Sequence, residues 1–161
     1  SVRVRQCSWE DVGVEVLVIP TIASLAPVGG MAHSVAQAAG PEFVRSCSRL
    51  VKAHPRPFGM GEAIRMGSYR ASEFGIKQVI QTVAPGFRAD LKGAMTGAVV
   101  RCLEEAEEAG AKSIAIPMIG AGGRGWPPTL ASRAIIRGVR TWVRGFGASV
   151  TPSIREILLF D

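Results

Sequence analysis

Along the chain, short apolar runs alternate with stretches whose apolar residues recur every three to four positions. That alternation of strand and helix signals predicts a three-layer α/β domain. Residues 14–19 are a β-branched run of the kind buried in a central strand. Residues 31–39 read as a helix stopped by Gly40, and Pro41 opens a second helix with Phe43, Val44, Cys47, Leu50 and Val51 on one face. Residues 54–59, punctuated by Pro55, Pro57 and Gly59, form a loop. Residues 76–83 predict a strand. Leu91, Met95, Ala98, Cys102, Leu103 and Ala106 then mark a helical stripe ended by Gly110. A buried strand is expected at 113–117, the last long helix at 130–146 and a closing strand at 154–160. No repeat, low-complexity tract or linker interrupts this order, so residues 1–161 are expected to form a single domain.

Composition narrows the class. A chain of 161 residues can bury one core of its own. Hydrophobic residues make up 47% and charged residues 20%, which excludes a disordered segment, too polar to offset the entropy of ordering. The glycines and prolines follow no Gly-X-Y period, so the chain is not collagen-like. No run approaches the ~20 apolar residues that span a bilayer, and no membrane partner is expected. Ser1-Val2-Arg3 opens no signal peptide. With no initiator Met and an apolar run reaching Phe160-Asp161, the chain is expected to be excised from a larger multidomain protein.

An excess of 19 Lys+Arg over 13 Asp+Glu, net +6, favours anionic partners: nucleotides, nucleic acid or an acidic protein surface. Cys7, Cys47 and Cys102 are odd in number, widely spaced and without a CxxC pair. With only His33 and His54 besides, neither a disulfide framework nor a metal site is expected. An intracellular compartment, nucleus or cytoplasm, is the expected location.

The candidate chemistry lies in two glycine-rich loops, each placed between a strand and a helix. The first runs Ala26-Pro27-Val28-Gly29-Gly30-Met31-Ala32, and the second Gly120-Ala121-Gly122-Gly123-Arg124-Gly125, followed by Trp126-Pro127-Pro128. Glycines let backbone approach a ligand closely, and free N–H groups at a helix start attract phosphate. Open α/β sheets bind ligands beyond the carboxyl ends of their strands. Either loop alone reads equally well as a structural turn; together they suggest a diphosphate held between them. Neither is a Walker A, since no Gly-Lys-Ser/Thr follows, and the Gly120-x-Gly122-x-x-Gly125 spacing comes too late in the chain for a dinucleotide fingerprint.

With these residues the sequence resembles the macrodomain family, an α/β fold with a central mixed sheet between helical layers. Residues 15–40 lie without a gap over the family's strand, Asn-Ala-Ala-Asn and glycine-loop stretch. Residues 113–127 are similar to its second glycine loop with the strand before it, 78–85 to its Val-Ile-His strand, and 156–161 to its terminal strand. The resemblance implies a pocket for ADP-ribose, free or attached to protein, with no metal or other cofactor. It implies that Val28, Gly29, Gly30, Met31 and Ala32 wrap one phosphate and residues 120–126 the other. It places Ser8, Trp9, Ile22 and Phe160 in the adenine and ribose pocket, with Phe160 stacking on the base. The plainer reading of Phe160 is a core residue of the last strand. The Val-Ala-Pro at 83–85 and Ala-Gly-Pro-Glu at 39–42 are similar to the tandem macrodomains of vertebrate ADP-ribosyltransferases.

Departures from the family pattern carry equal weight. The family aspartate that accepts from the adenine amino group is replaced by Ser8. The Asn-Ala-Ala-Asn signature becomes Ile19-Pro20-Thr21-Ile22, so its second Asn, which holds the distal ribose, is Ile22. Isoleucine has no hydrogen-bonding group, and hydrolysis of ADP-ribose linkages by the usual residues is not expected of this domain. Pro27 and Val28 replace two loop glycines, and His33 replaces a small glycine. Three further readings follow: nucleic-acid binding, a degenerate protein-interaction module whose pocket is closed by Val28, His33 and Ile22, and, last, a hydrolase.

The nucleic-acid reading rests on Arg133, Arg137, Arg140 and Arg144, which recur at i, i+4, i+7 and i+11 along one helical face. The bland alternative is a solvated outer face, and aromatics, at 6%, supply no stacking platform. Arg124, inside the second loop, is a candidate contact to an anionic ligand. His33 and His54 lack a paired nucleophile or carboxylate and read as surface residues; the three cysteines read as small buried residues. Glu104, Glu105, Glu107 and Glu108 read as a solvated helix face. A monomeric domain is expected.

Overall fold

The computed structural model describes residues 1–89 and 93–161. Six strands form one mixed sheet in the order β1-β6-β5-β2-β4-β3. They are β1 (Val2–Arg5), β2 (Val16–Thr21), β3 (Ala63–Gly67), β4 (Gln78–Val83), β5 (Ser113–Pro117) and β6 (Glu156–Phe160). Only β3 runs antiparallel to its neighbour; the other pairings are parallel. Helices α1 (Gly30–Ala39), α2 (Pro41–Ala53), α3 (Ala94–Glu108) and α4 (Pro128–Arg144) cover the sheet.

The alternation along β2 divides the interior. Leu17 and Ile19 join Val35, Ala36 and Phe43 of α1 and α2 in one buried cluster, while Val16 and Val18 join Met95, Val99 and Ile135 of α3 and α4 in the other. The expected three-layer α/β architecture is the one observed. Parallel strands covered on both faces must be apolar on both, which is why this strand reads as a continuous run.

The strand expected at 14–19 lies two residues further on. Pro20 and Thr21 continue β2 by pairing with Thr82 and Val83 of β4, past the point where β5 leaves off. On a stretch paired at one side only, a proline is tolerated. The expectation missed β1 and β3. β1 is exposed along its whole length, and β3 is a five-residue edge strand. Leu91, expected at the head of the stripe continued by Met95, lies outside the described residues.

The acidic run on α3 is only partly solvated. The Glu107 carboxylate accepts the N–H groups of Ser153 (2.6 Å) and Ile154 (3.0 Å), tying the approach to β6 onto α3. Arg65 of β3 donates to the Glu105 carbonyl at 2.7 Å, with the Glu105 carboxylate 3.8 Å away. These partners lie 40 to 47 residues away in the chain.

Candidate functional site

At the carboxyl ends of β2, β5 and β6 a cavity of about 650 Å³ opens between the two glycine-rich loops. It gathers residues that lie more than 150 positions apart, from Ser8 and Trp9 to Phe160 and Asp161. The parallel register produces this: each strand delivers its C-terminal loop to the same edge.

The first loop leaves β2 through Leu25, whose φ of 54° lies in the left-handed region, and turns at Gly29, φ 89°. Val28 donates to the Ala26 carbonyl at 2.8 Å, and His33 closes the first helical bond to Gly29 at 3.1 Å. The N–H groups of Gly30, Met31 and Ala32 therefore open α1 without an intrahelical partner, as helix starts do, at the wall these residues line. In the second loop, Ala121, Gly125 and Trp126 donate to backbone carbonyls, whereas the N–H groups of Gly122, Gly123 and Arg124 make no backbone hydrogen bond. These residues also line the cavity. Two sets of free donors thus meet one space, a geometry that suits an anionic oxygen cluster.

Trp126 is buried beneath the second loop and does not line the cavity. Its Nε1 donates to the Pro85 carbonyl at 2.8 Å, and Phe87 meets its ring edge-on at 5.2 Å. Gly120, φ 84°, lies so close that a Cβ there would sit 2.5 Å from the indole. Trp126 therefore shapes the loop from within. Ala121 and Gly125 also stand outside the lining. The remaining expected residues, Ser8, Trp9, Ile22, Val28, Gly29, Gly30, Met31, Ala32, Gly120, Gly122, Gly123, Arg124 and Phe160, all border it.

Phe160 is 6% exposed, packs in the core with Leu158 and Trp9, and presents its remaining surface to the cavity. Trp9 is held by its Nε1 bond to Ser34 Oγ (3.0 Å) and an edge-on contact with Phe74. His33 is exposed and outside the lining, so it does not close the pocket; Val28 and Ile22 border the cavity and leave it open. Sequence reasoning missed Pro20, Thr21, Ala84, Pro117, Met118 and Asp161. Thr21 lines the cavity with its hydroxyl buried and unpartnered in the protein, the one polar side chain in the Ile19–Ile22 stretch. A β-propensity signal at Thr21 gave no hint of this.

Two of the cysteines, Cys47 and Cys102, are far from acting as nucleophiles. Burial pushes the Cys102 thiol up to about 12 and raises that of Cys47, which accepts from Gln81 Nε2. His54 packs against Phe58, ring centres 4.2 Å apart and planes tilted by 39°, away from the cavity. Among the described residues no cluster of three or more His, Cys, Asp or Glu side chains can hold a metal ion, and no helix is long and apolar enough to cross a membrane.

Comparison with known proteins agrees with this fold. The Macro domain family model matches residues 18–135. A macro domain-containing protein of Streptomyces griseus is 28% identical over 141 residues, covering 86% of this chain and 78% of the relative. The Oceanobacillus iheyensis macrodomain solved with ADP superposes with TM-score 0.83 at 20% identity, over 98% of this chain and 82% of that one. The Trypanosoma brucei macrodomain solved in complex with ADP-ribose gives 0.82 at 19%, over 99% and 62%. This chain belongs to the macrodomain family.

Proposed function

We propose that this domain binds ADP-ribose, free or carried on a modified protein, and does so as a monomeric module inside the cell without hydrolysing it. The observation that carries the reading is the cavity whose two walls present unbonded N–H groups, at Gly30, Met31 and Ala32 and at Gly122, Gly123 and Arg124. Such donors, with the Arg124 side chain beside them, match the two phosphates of a nucleoside diphosphate. Phe160 and Trp9 offer an apolar wall for a base. The ADP and ADP-ribose held by the two solved macrodomains support the same ligand class. The non-hydrolytic reading is supported by Ile22, an apolar side chain on the cavity wall, and by Arg124 and Asp161 being the ionisable side chains of the lining among the described residues.

Calorimetric titration with ADP-ribose, with ADP and a single-stranded RNA as controls, tests the proposal. Saturable micromolar binding, about 8 kcal/mol of free energy, selective for ADP-ribose, is expected. A Cβ at Gly122 meets nothing within 4 Å, so Gly122→Val keeps the fold while filling the cavity, and should weaken ADP-ribose at least about tenfold. No heat with ADP-ribose, or equal affinity in the variant, overturns the reading.

A further inference from the structure

The outer face of α4 carries a feature that the cavity does not use. Arg133, Arg137, Arg140 and Arg144 are all exposed, and among the described residues none of their guanidinium groups takes part in a hydrogen bond or ion pair. The helix sequence, PTLASRAIIRGVRTWVR, contains no acidic residue and no lysine. At 3.6 residues per turn the four fall within about 60° of arc, on the side opposite the buried Ala131, Ile135 and Trp142, and at 1.5 Å per residue they extend over roughly 16 Å.

The stripe is rigidly mounted. Gly138 brings α4 so close to α3 that a Cβ there would lie 2.7 Å from Val99 and 2.9 Å from the Thr96 carbonyl. The Thr96 hydroxyl also donates to the Ala134 carbonyl, at 3.3 Å. A line of four unneutralised guanidinium forks at steps of about 4.5 to 6 Å is complementary to a row of phosphates, which guanidinium binds in a bidentate manner. Its shoulders carry Ile136 and Val143, aliphatic and about half-exposed or less, with no exposed ring to stack on an unpaired base. Nor is there an aromatic anchor of the sort that dominates protein–protein contacts.

We propose that the α4 arginine face binds the phosphate backbone of double-stranded nucleic acid without reading its sequence, independently of the nucleotide cavity. The chain's net charge of +6 favours such a polyanion as well. Neutralising up to four phosphates sets the slope of log K against log salt near −3.6, so affinity should fall about a hundredfold between 50 and 200 mM salt.

Fluorescence anisotropy with a labelled 20-base-pair DNA duplex, across that salt range, provides the test. Saturable binding at 50 mM salt with a slope near −3.6 is expected. Each single Arg→Gln change on the stripe should make the slope shallower by about 0.9, and the quadruple change should abolish binding. Because these side chains bond nothing, the single variants keep the wild-type thermal midpoint and still bind ADP-ribose as the unaltered domain does. Saturating ADP-ribose should leave duplex binding unchanged. Three results overturn the proposal: no binding at 50 mM salt, a slope unmoved by the substitutions, or equal binding of a polyglutamate of matched charge. Displacement of the duplex by ADP-ribose would place it in the cavity and sink the α4 assignment, leaving the nucleotide reading intact.

Discussion

Ile22 borders the cavity half-buried, and on the proposed reading it faces the distal ribose of the ligand. An asparagine there would restore one donor and one acceptor. A hydrogen bond made to a ligand contributes about 1 kcal/mol net, a factor of about five in affinity. Ile22→Asn is therefore expected to tighten ADP-ribose about fivefold and leave ADP, which lacks that ribose, unchanged. Calorimetry with both ligands separates the outcomes, since an equal gain for ADP would place Ile22 elsewhere along the ligand. Release of ADP-ribose from a modified protein by the same variant would show that only the ribose clamp is missing. Thr21, next to it, keeps its hydroxyl buried and unbonded within the protein.

Among the elements, the contact between α3 and α4 determines where the second loop leads and how the arginine face is held. Gly138 allows the two backbones to approach, and Val99 fills the space that any side chain there would claim. Gly138→Ala forces a methyl group into 2.7–2.9 Å contacts. Overpacking of this kind costs about 1–3 kcal/mol, read as a lower urea midpoint. Shortening the neighbour in the Gly138→Ala/Val99→Ala double variant should recover part of that loss; a double variant less stable than the sum of the two single changes would contradict the close-approach account. The same scale explains what the pattern of apolar residues left unread. Val2-Arg3-Val4-Arg5 alternates as a strand should, but four residues are too few to distinguish from chance, and only pairing with β6 gives them a place. β3 likewise finds its strand partner in β4 alone.

Over the whole molecule, two carboxylates are held ionised by their partners, Glu62 within one loop and Glu15 across distant parts of the chain. Glu62 accepts from the Arg56 guanidinium and the Gly59 N–H, which hold its pKa below the ordinary 4.5. Glu15 is lowered by the Lys112 N–H and by Lys77, linking the starts of β2, β4 and β5. A carboxyl depressed in the folded state contributes stability above its unfolded value, and that contribution is lost as pH falls through the folded value. Unfolding midpoints should accordingly hold steady from pH 7 to about 5 and fall below 4.5. The Glu15→Gln/Glu62→Gln double variant should be less stable than the wild type at pH 7 and lose less between pH 5 and 3. Urea unfolding at each pH measures this, and parallel profiles for the two proteins would remove these carboxylates as the cause. Both side chains are partly exposed, so the effect is modest and shrinks in high salt.

The sequence by itself determined the layered α/β class, most of the strands and helices, and the two glycine-rich loops. Periodicity and glycine punctuation are local properties, written within a dozen residues. It also located most of the residues that border the cavity, because a parallel sheet sends every strand's C-terminal loop to the same edge. What only the tertiary structure decided depends on contacts between residues far apart in the chain. Trp126 proved to be the buried support of its loop, held by Pro85; His33 lay exposed outside the cavity lining; Glu107 fastened residues 153 and 154. No local pattern encodes which of two neighbouring residues faces a cavity and which faces the core, because that choice is made by packing against segments tens of residues away.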